Sequence, residues 1–350
     1  MYIIKIYDKS KNALTRIEKF SSLKIDNALN KECKANFVVP NIPEYSKTIL
    51  KKKNVIEIYR LWIKIFEWVI IWVNPWLTSI SIDLESYSHI LKYRFLYTSY
   101  SWTIESVITS IFSAALSDWP IPVTLSTSLT WDISLDLTNK NLKSAIESIK
   151  TAWKEYYYWS DILYIWDAIW DDKTNIVLKF LENRAFENNI KNVSVKEDWV
   201  EIINSVTWYK TWLSWSPVTI EDATSISEYW KYKDVVNFSE ANDLSTLNNL
   251  IQWYLDENKN EVVSIDFNLL QTKINSDLLN IWDTVSVIIE KWYINFNLPL
   301  RILWKSYNVN KWSTLSEEIW FTLSEWTKDV KDFFETIANM KNRISTLEKK

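Results

Sequence analysis

One histidine, one cysteine and 44 acidic residues are the first candidates for chemistry in this chain. His89 lies in "ESYSHILKYR", with Glu85 one helical turn before it. A carboxylate at that spacing could orient the imidazole, as a Ser-His-Asp triad requires. No nucleophile-elbow sequence accompanies the pair, so a structural or surface role is expected for His89. A lone histidine excludes a multi-histidine metal site. Cys33, the only cysteine, excludes an internal disulfide and a cysteine metal cluster. "WDDKTN" resembles half of a calcium loop but lacks the regular Asp spacing and the twelfth-position Glu, so a solvated turn is expected. "TWLSWSP" lacks the Lys-Ser/Thr of a phosphate-binding loop. Among the many acidic side chains no pair stands out for glycoside hydrolysis. The residues therefore assign no catalytic, cofactor or metal site.

The larger anomaly is chemical excess paired with chemical absence. The 350 residues include 23 Trp and 0 Gly, where ordinary usage predicts about 25 Gly. Turns, helix C-caps and bulges need the positive φ that glycine supplies. Tryptophan stands at such places. "FEWVIIWVNPWLTSI" reads as two strands about a tight turn closed by Asn74-Pro75-Trp76. Asp198-Trp199 separates "VSVKE" from "VEIINSV", where Asp-Gly would mark a hairpin. Trp153 falls just past the helical pattern of "NLKSAIESIKTAW", the position where glycine ends helices. Trp119, Trp166, Trp170 and Trp312 lie in polar, loop-like runs, whereas Trp253 falls inside a helical pattern. Some uncultivated bacteria and their phages read UGA as glycine, while a common alternative table reads it as tryptophan. The reading adopted is that every Trp is such a glycine, and richness in Ile, Lys and Asn suits an AT-rich genome of that kind. It predicts Trp side chains exposed at turns or crowding them. The competing reading is a carbohydrate-binding adhesin with genuine Trp platforms.

Net charge is −4 and the pI about 5.4. No long basic run interleaves with aromatics, so no nucleic-acid footprint is expected. "MYIIKIYDKS" reads as a strand rather than a signal peptide. "WVIIWV" is too short to cross a bilayer and is flanked by Arg60, Lys64 and Glu67. A soluble chain with no membrane span and no export signal of its own is expected.

The elements that must position these residues are mainly β, with an α+β insert. Residues 1–90 read as a meander of short alternating strands, a first small barrel or sandwich. Residues 91–190 read as an α+β insert. Its helix "TIESVITSIFSAAL" repeats Ile104, Val107, Ile108, Ile111, Phe112 and Ala115, and a second helix at 139–152 is capped by Thr138 or Asn139. Residues 191–325 read as a second strand-rich unit with one helix near 241–255. In residues 326–350, Val330, Phe333, Ile337, Met340, Ile344 and Leu347 are spaced 3, 4, 3, 4, 3. That is either an amphipathic helix packed on its own domain or a three-heptad coiled coil, the latter implying a homo-oligomer.

With Trp read as Gly, the order of segments resembles the hub proteins of phage tails, the tail-tip or baseplate hub family that includes Gp37-like prophage tail proteins. The likeness spans most of residues 1–325. It rests on "ALNKECKANFVVP", "IKIFEWVIIWV", "SYSHILKYR", "NKNLKSAIESIKTAWKEYYY", "INSVTWYK", "SISEYWKYKD" and "LLNIWDTVSVII", in that order. The resemblance implies two tail-tube-like β-barrel domains per chain. It also implies a homotrimer whose six barrels continue the tube, with DNA only passing through the lumen. Tail-tube, distal tail and tip proteins would be its partners, in a virion tail assembled in the host cytoplasm. It implies no enzyme and no cofactor; a tail-associated hydrolase remains an alternative reading. The chain carries no evident peptidoglycan-cutting or receptor-binding extension.

Overall fold

A computed structural model describes residues 2–45, 49–52, 54–93, 100–116, 124–128, 132–135, 141–150, 155–159, 162–166, 171–198, 202–208, 218–236, 244–259, 262–291, 294–310 and 316–324. The first seven strands are β1 (Tyr2–Tyr7), β2 (Ala13–Ile17), β3 (Ser22–Ala28), β4 (Lys34–Pro40), β5 (Val55–Arg60), β6 (Ile63–Pro75) and β7 (Ser79–Glu85). The single turn α1 (Ser88–Leu91) follows. Next come β8 (Tyr100–Thr103), α2 (Ile104–Leu116), β9 (Thr124–Ser128), β10 (Asp132–Leu135), α3 (Leu142–Lys150), β11 (Glu155–Trp159) and β12 (Ile162–Trp166). The last part holds β13 (Asp171–Leu181), β14 (Ile190–Asp198), β15 (Ser205–Trp208), β16 (Val218–Glu221), α4 (Ala223–Tyr229), β17 (Lys233–Val236), α5 (Leu244–Asn258), β18 (Val262–Leu269), β19 (Asp283–Lys291), β20 (Ile294–Asn310) and β21 (Ser316–Ser324).

Alternation drives the strands. In β7, Ile80, Ile82 and Leu84 are buried while Ser79, Ser81 and Asp83 lie between them, half-exposed. Val285, Val287 and Ile289 do the same in β19. Period-2 burial of this kind puts one face of a sheet on a core, and each buried aliphatic side chain stabilises by about 1.5–3 kcal/mol.

Thirteen strands join in one sheet. Its main path runs β14-β18-β21-β20-β3-β4-β7-β6-β5-β1-β2, with β19 on the other half of β20 and β13 beyond it. The length of β20 explains the branch. Its first half pairs with β19, from Lys291↔Ile294 to Thr284↔Arg301. Its second half pairs with β3, from Trp304↔Ala28 to Asn310↔Ser22. The two strand-rich regions read from the sequence thus share one sheet. Among the described residues they do not close into the two expected barrels. The pairs β13-β19-β20-β21-β18-β14 curl back towards β13, but at the seam asparagine side chains replace a backbone ladder. Asn189 Oδ1 accepts from Lys179 N–H (2.7 Å) and its Nδ2 donates to the Val177 carbonyl (2.7 Å); Asn188 Oδ1 accepts from Leu181 N–H (2.7 Å).

Two small α/β units extend this sheet. In the first, β9 and β12 run parallel and β11 pairs with β12. It shares the main core through Phe112, Ala145, Ile146, Tyr157 and Ile165. The second lies between β14 and β18, which pair from Ile190↔Leu269 to Asp198↔Val262. Its sheet order is β16-β15-β17, and its core of Val206, Trp208, Leu247, Ile251 and Leu255 is separate.

Several expectations need correction. Asp198-Trp199 does not connect two paired strands: the partner of β14 is β18, on the far side of the second unit. That unit has two helices where one was expected, because Asp222 caps α4 by accepting from Ser225 N–H at 2.9 Å. For α3, the side chain that accepts the early N–H, from Ser144, is Asn141 at 2.8 Å. The heptad residues Val330 to Leu347 lie outside the described residues.

Asn189→Ala should cost about 1 kcal/mol, because it removes the side-chain partner of a half-buried donor and acceptor on β13. A denaturant midpoint that falls at unchanged m-value would read this loss; an unmoved midpoint would deny the seam its role.

Candidate functional site

The His89–Glu85 pair forms. Placing His89 on α1, directly after β7, brings its Nδ1 to 3.2 Å from Glu85 Oε2. Lys92 donates to the other carboxylate oxygen at 2.9 Å. Lys92 also reaches Glu32 at 3.3 Å, and Glu32 pairs with Lys143 of α3. The far side of the ring meets the edge of Tyr93, with centroids 5.7 Å apart. No hydroxyl or thiol of the described residues bonds to the ring; Ser86 and Ser88 are buried and bond to each other at 2.7 Å. The cluster clamps α3 to the sheet. Cys33 is buried, and desolvation pushes its thiol up to about 12, which leaves it a poor nucleophile.

At the start of β13, Asp172 accepts from Thr174 N–H at 3.0 Å, a local turn. Lys173 reaches across to Asp283 at 2.6 Å. Lys173, inside the loop-like run, also pairs with Asp171. Among the described residues no group of three His, Cys, Asp or Glu could hold a metal.

The densest polar cluster joins the first strands to the last. Arg60, at the end of β5, donates to Glu317 through Nε (2.7 Å) and Nη2 (3.1 Å) and to Asp277 through Nη1 (2.7 Å). Gln271 also accepts from Arg60, and Tyr2 donates to Glu317. Burial alone would raise the Glu317 carboxyl; the Arg60 and Tyr2 hydrogen bonds outweigh it and hold the group below its ordinary value. Beside this cluster Lys305 donates to the Ser276 and Leu279 carbonyls at 2.8 and 2.7 Å. Its ammonium lies over the rings of Tyr307 and Phe321. Desolvation brings it down to about 7, against the opposing charge of Asp277. A cavity of about 250 Å³ adjoins it, lined by Tyr157, Tyr164, Tyr307, Asn27 and Asn280 among others. Its polar side chains are amides, phenols, the indoles of Trp159 and Trp282 and this one committed ammonium. Nothing in the local sequence around Arg60 or Lys305 announces the cluster, since its members come from five separate elements and loops.

The tryptophans carry the strongest backbone signal. Seven described residues have positive φ, and three are Trp62 (φ 74°), Trp230 (φ 69°) and Trp282 (φ 84°). With ψ at 174°, Trp230 occupies a region that is essentially reserved for glycine. Trp230 and Trp282 are the tryptophans of "SISEYWKYKD" and "LLNIWDTVSVII". Trp230 is 80% exposed, Trp62 70% and Trp76 64%. Trp72 and Trp304 lie beside register shifts in their strand pairs. Trp68 is buried with its ring centroid 3.7 Å from that of Phe66, shorter than the 4.5–7 Å that aromatic pairs prefer. The indole N–H groups of Trp68 and Trp208 are buried without a hydrogen-bond partner. Trp76 differs from expectation: it closes its turn by donating to the Ser79 carbonyl at 2.7 Å but is not among the positive-φ residues. Trp253 does lie within α5, and Trp119, Trp153, Trp170, Trp199 and Trp312 fall outside the described residues. Trp62 precedes the 13-residue β6 and Trp76 follows it, so these exposed rings stand at opposite strand ends, not on one binding platform.

No protein-family model matches the chain, and no curated protein matches it. Solved structures do. The fold is similar to the prophage tail protein gp18 of Listeria monocytogenes EGD-e, with a TM-score of 0.69 at 14% identity, over 97% of this chain and 99% of that one. It is similar to the tail protein of Neisseria meningitidis MC58, with a TM-score of 0.69 at 12% identity, over 94% and 97%. It is also similar to the Escherichia coli c3393 protein, a component of the type VI secretion system with structural similarity to the T4 tail proteins gp27 and gp5. There the TM-score is 0.56 at 9% identity, over 93% and 77%. The mainly β fold of this chain is thus that of phage and prophage tail proteins. Among the described residues no helix is long and apolar enough to cross a membrane.

Two outcomes follow. In the chain made with tryptophan, Trp230→Gly should stabilise by about 1–3 kcal/mol through relief of backbone strain, whereas Trp230→Ala should recover little of it, because alanine keeps a Cβ. Thermal or denaturant unfolding reads the difference; equal effects would count against the strain. The second concerns pH. The Lys305 ammonium ordinarily titrates near 10.5 and here near 7, so between these values the unfolded chain binds more protons and stability rises with pH. Lys305→Met should flatten that rise between pH 7 and about pH 9, below the range where tyrosines ionise. An unchanged slope of unfolding midpoint against pH would refute the assignment.

Proposed function

We propose that the chain is a structural hub protein at the distal end of a phage or prophage tail, joining the tail tube to the tip and forming part of the DNA passage. The observation that carries this reading is the fold likeness over nearly the whole of both chains to prophage tail protein gp18. The likeness to c3393, itself similar to gp27 and gp5, supports the hub position. The role is geometric and needs no catalysis. Copies assemble as a homotrimer, and Val330, Phe333, Ile337, Met340, Ile344 and Leu347 form a coiled-coil seam between them, with β-branched residues at a and Phe, Met and Leu at d. Tail-tube and tip proteins are the neighbours in the virion. We also propose that the tryptophans are glycines encoded by UGA, supported by the positive φ of Trp62, Trp230 and Trp282.

Tail particles labelled with an antibody to this chain should carry the label as one ring at the end of the tube. Label spread along the tube would overturn the hub position. Mass spectrometry of the native product should find it lighter by one indolylmethyl group for every converted position, and intact indoles at Trp62, Trp230 and Trp282 would overturn the recoding.

A further inference from the structure

The unit of residues 202–259 stands on a two-stranded stem. β14 and β18 lead into and out of it, and its two ends are tied by the Ile203 N–H donating to the Asn258 carbonyl at 2.7 Å. Inside, Asn204 binds its pieces together. Its Nδ2 donates to the Trp230 carbonyl (2.6 Å) and to Ser225 (3.2 Å), and its Oδ1 accepts from Tyr232 N–H (2.8 Å). With its own core and its own polar centre, the unit is an arm on which Glu221, Glu228, Tyr232 and Val235 are exposed.

Charge indicates which molecule. Residues 202–259 contain 4 Lys and 8 Asp and Glu. Residues 1–93 contain 15 Lys and Arg and 9 Asp and Glu. The two regions thus carry opposite signs in a chain whose net charge is only −4. They also occupy opposite ends of the strand order, β14 being first and β2 last. Three of the arm's ion pairs, Lys231–Glu221, Lys259–Asp222 and Lys259–Asp256, stay within it. Glu221 and Glu228 remain exposed, next to exposed Tyr232 and Val235. On the first region Lys9, Lys19, Lys51 and Lys52 are exposed.

We propose that the acidic arm of one copy docks on the basic first region of the next copy. The contact is heterologous, one surface on a different surface, and such contacts generate closed rings when the rotation closes. Opposite potentials set its register and speed encounter, while Tyr232 and Val235 supply an apolar centre. This rests on the ring reading given above and names the surfaces that make the ring.

The test uses the full chain and sedimentation over a range of concentrations and salt. Wild type should assemble at low ionic strength and dissociate progressively towards about 1 M, where the screening length falls to about 3 Å. Glu221→Lys with Glu228→Lys should weaken assembly at least tenfold, as should Lys51→Glu with Lys52→Glu. Both pairs together in one chain should restore it, since the signs are then exchanged rather than opposed. Restoration also establishes that each altered surface still folds. Rings that form with unchanged affinity in both single-sided variants would overturn the docking and leave the ring intact. A wild-type monomer at every concentration and salt would overturn the ring itself, and the docking with it. Duplex DNA bound by wild type and lost in Lys51→Glu with Lys52→Glu, at unchanged ring affinity, would reassign the basic surface to nucleic acid.

Discussion

The structure depends on the length of one strand. At 17 residues, β20 is long enough to serve two partners on the same side, β19 with its first half and β3 with its second. Pairing with β3 commits β1 to β7 to the same sheet as β13, β14 and β18 to β21, across nearly the full sequence. The Arg60–Glu317–Asp277 cluster lies over that junction and also spans it, with Tyr2 and Gln271 adding to it. Removing one member would leave charges buried and unpaired, which costs far more than a surface pair could contribute. Sheet pairing and ion cluster therefore fix the same relation between the two regions by independent means.

Much of this was legible in the sequence at the level of single elements. Alternation in "TSISIDLESY" and "LLNIWDTVSVII" marked β7 and β19, and the apolar spacing of "TIESVITSIFSAAL" marked α2. The β6–β7 pair about Asn74-Pro75-Trp76 was legible as well; pairing between distant strands was not. Asp198-Trp199 looks like a hairpin turn because both flanks alternate, yet β14 finds its partner beyond a whole inserted unit. Local pattern says that a strand exists and which face is apolar; it carries no information about which distant strand lies alongside. Arg60 and Lys305 were illegible for the same reason. Each is one basic residue in an ordinary strand, and only the fold brings Asp277, Glu317 and the Ser276 carbonyl to them.

The tryptophans are the reverse case, where the sequence carried more than the fold required. A backbone at φ 69°, ψ 174° has a definite physical meaning: no Cβ belongs there. The chain traces that conformation at Trp230 because the strands and Asn204 around it demand it. Trp68 makes the same point from inside the core, where an indole presses on Phe66 and its N–H finds no acceptor. Lys11, Asn30, Leu61 and Asn192 also have positive φ, and asparagine tolerates it through its short polar side chain. Tryptophan has no such compensation. Three tryptophans among the seven positive-φ residues support the proposed glycine reading, although Lys11 and Leu61 adopt positive φ without that compensation too.

The same accounting bears on the chain's acidic groups. Glu85 is held by Lys92 and His89, Asp283 by Lys173, Glu317 by Arg60, Glu155 by Arg301 in a two-pronged pair, and Glu67 by Lys11 and Lys64. A general acid at neutral pH needs a carboxyl kept protonated, away from cations. These buried or half-buried carboxylates are each paired with a basic side chain, locally for Glu85 with His89 and Lys92 and for Glu67 with Lys64, and from distant parts of the chain for the others. Their pairing fastens α3, β11, β13 and the β5–β6 end in place. These carboxylates thus tie strands and loops together, while burial still raises the Asp283 carboxyl despite Lys173 beside it.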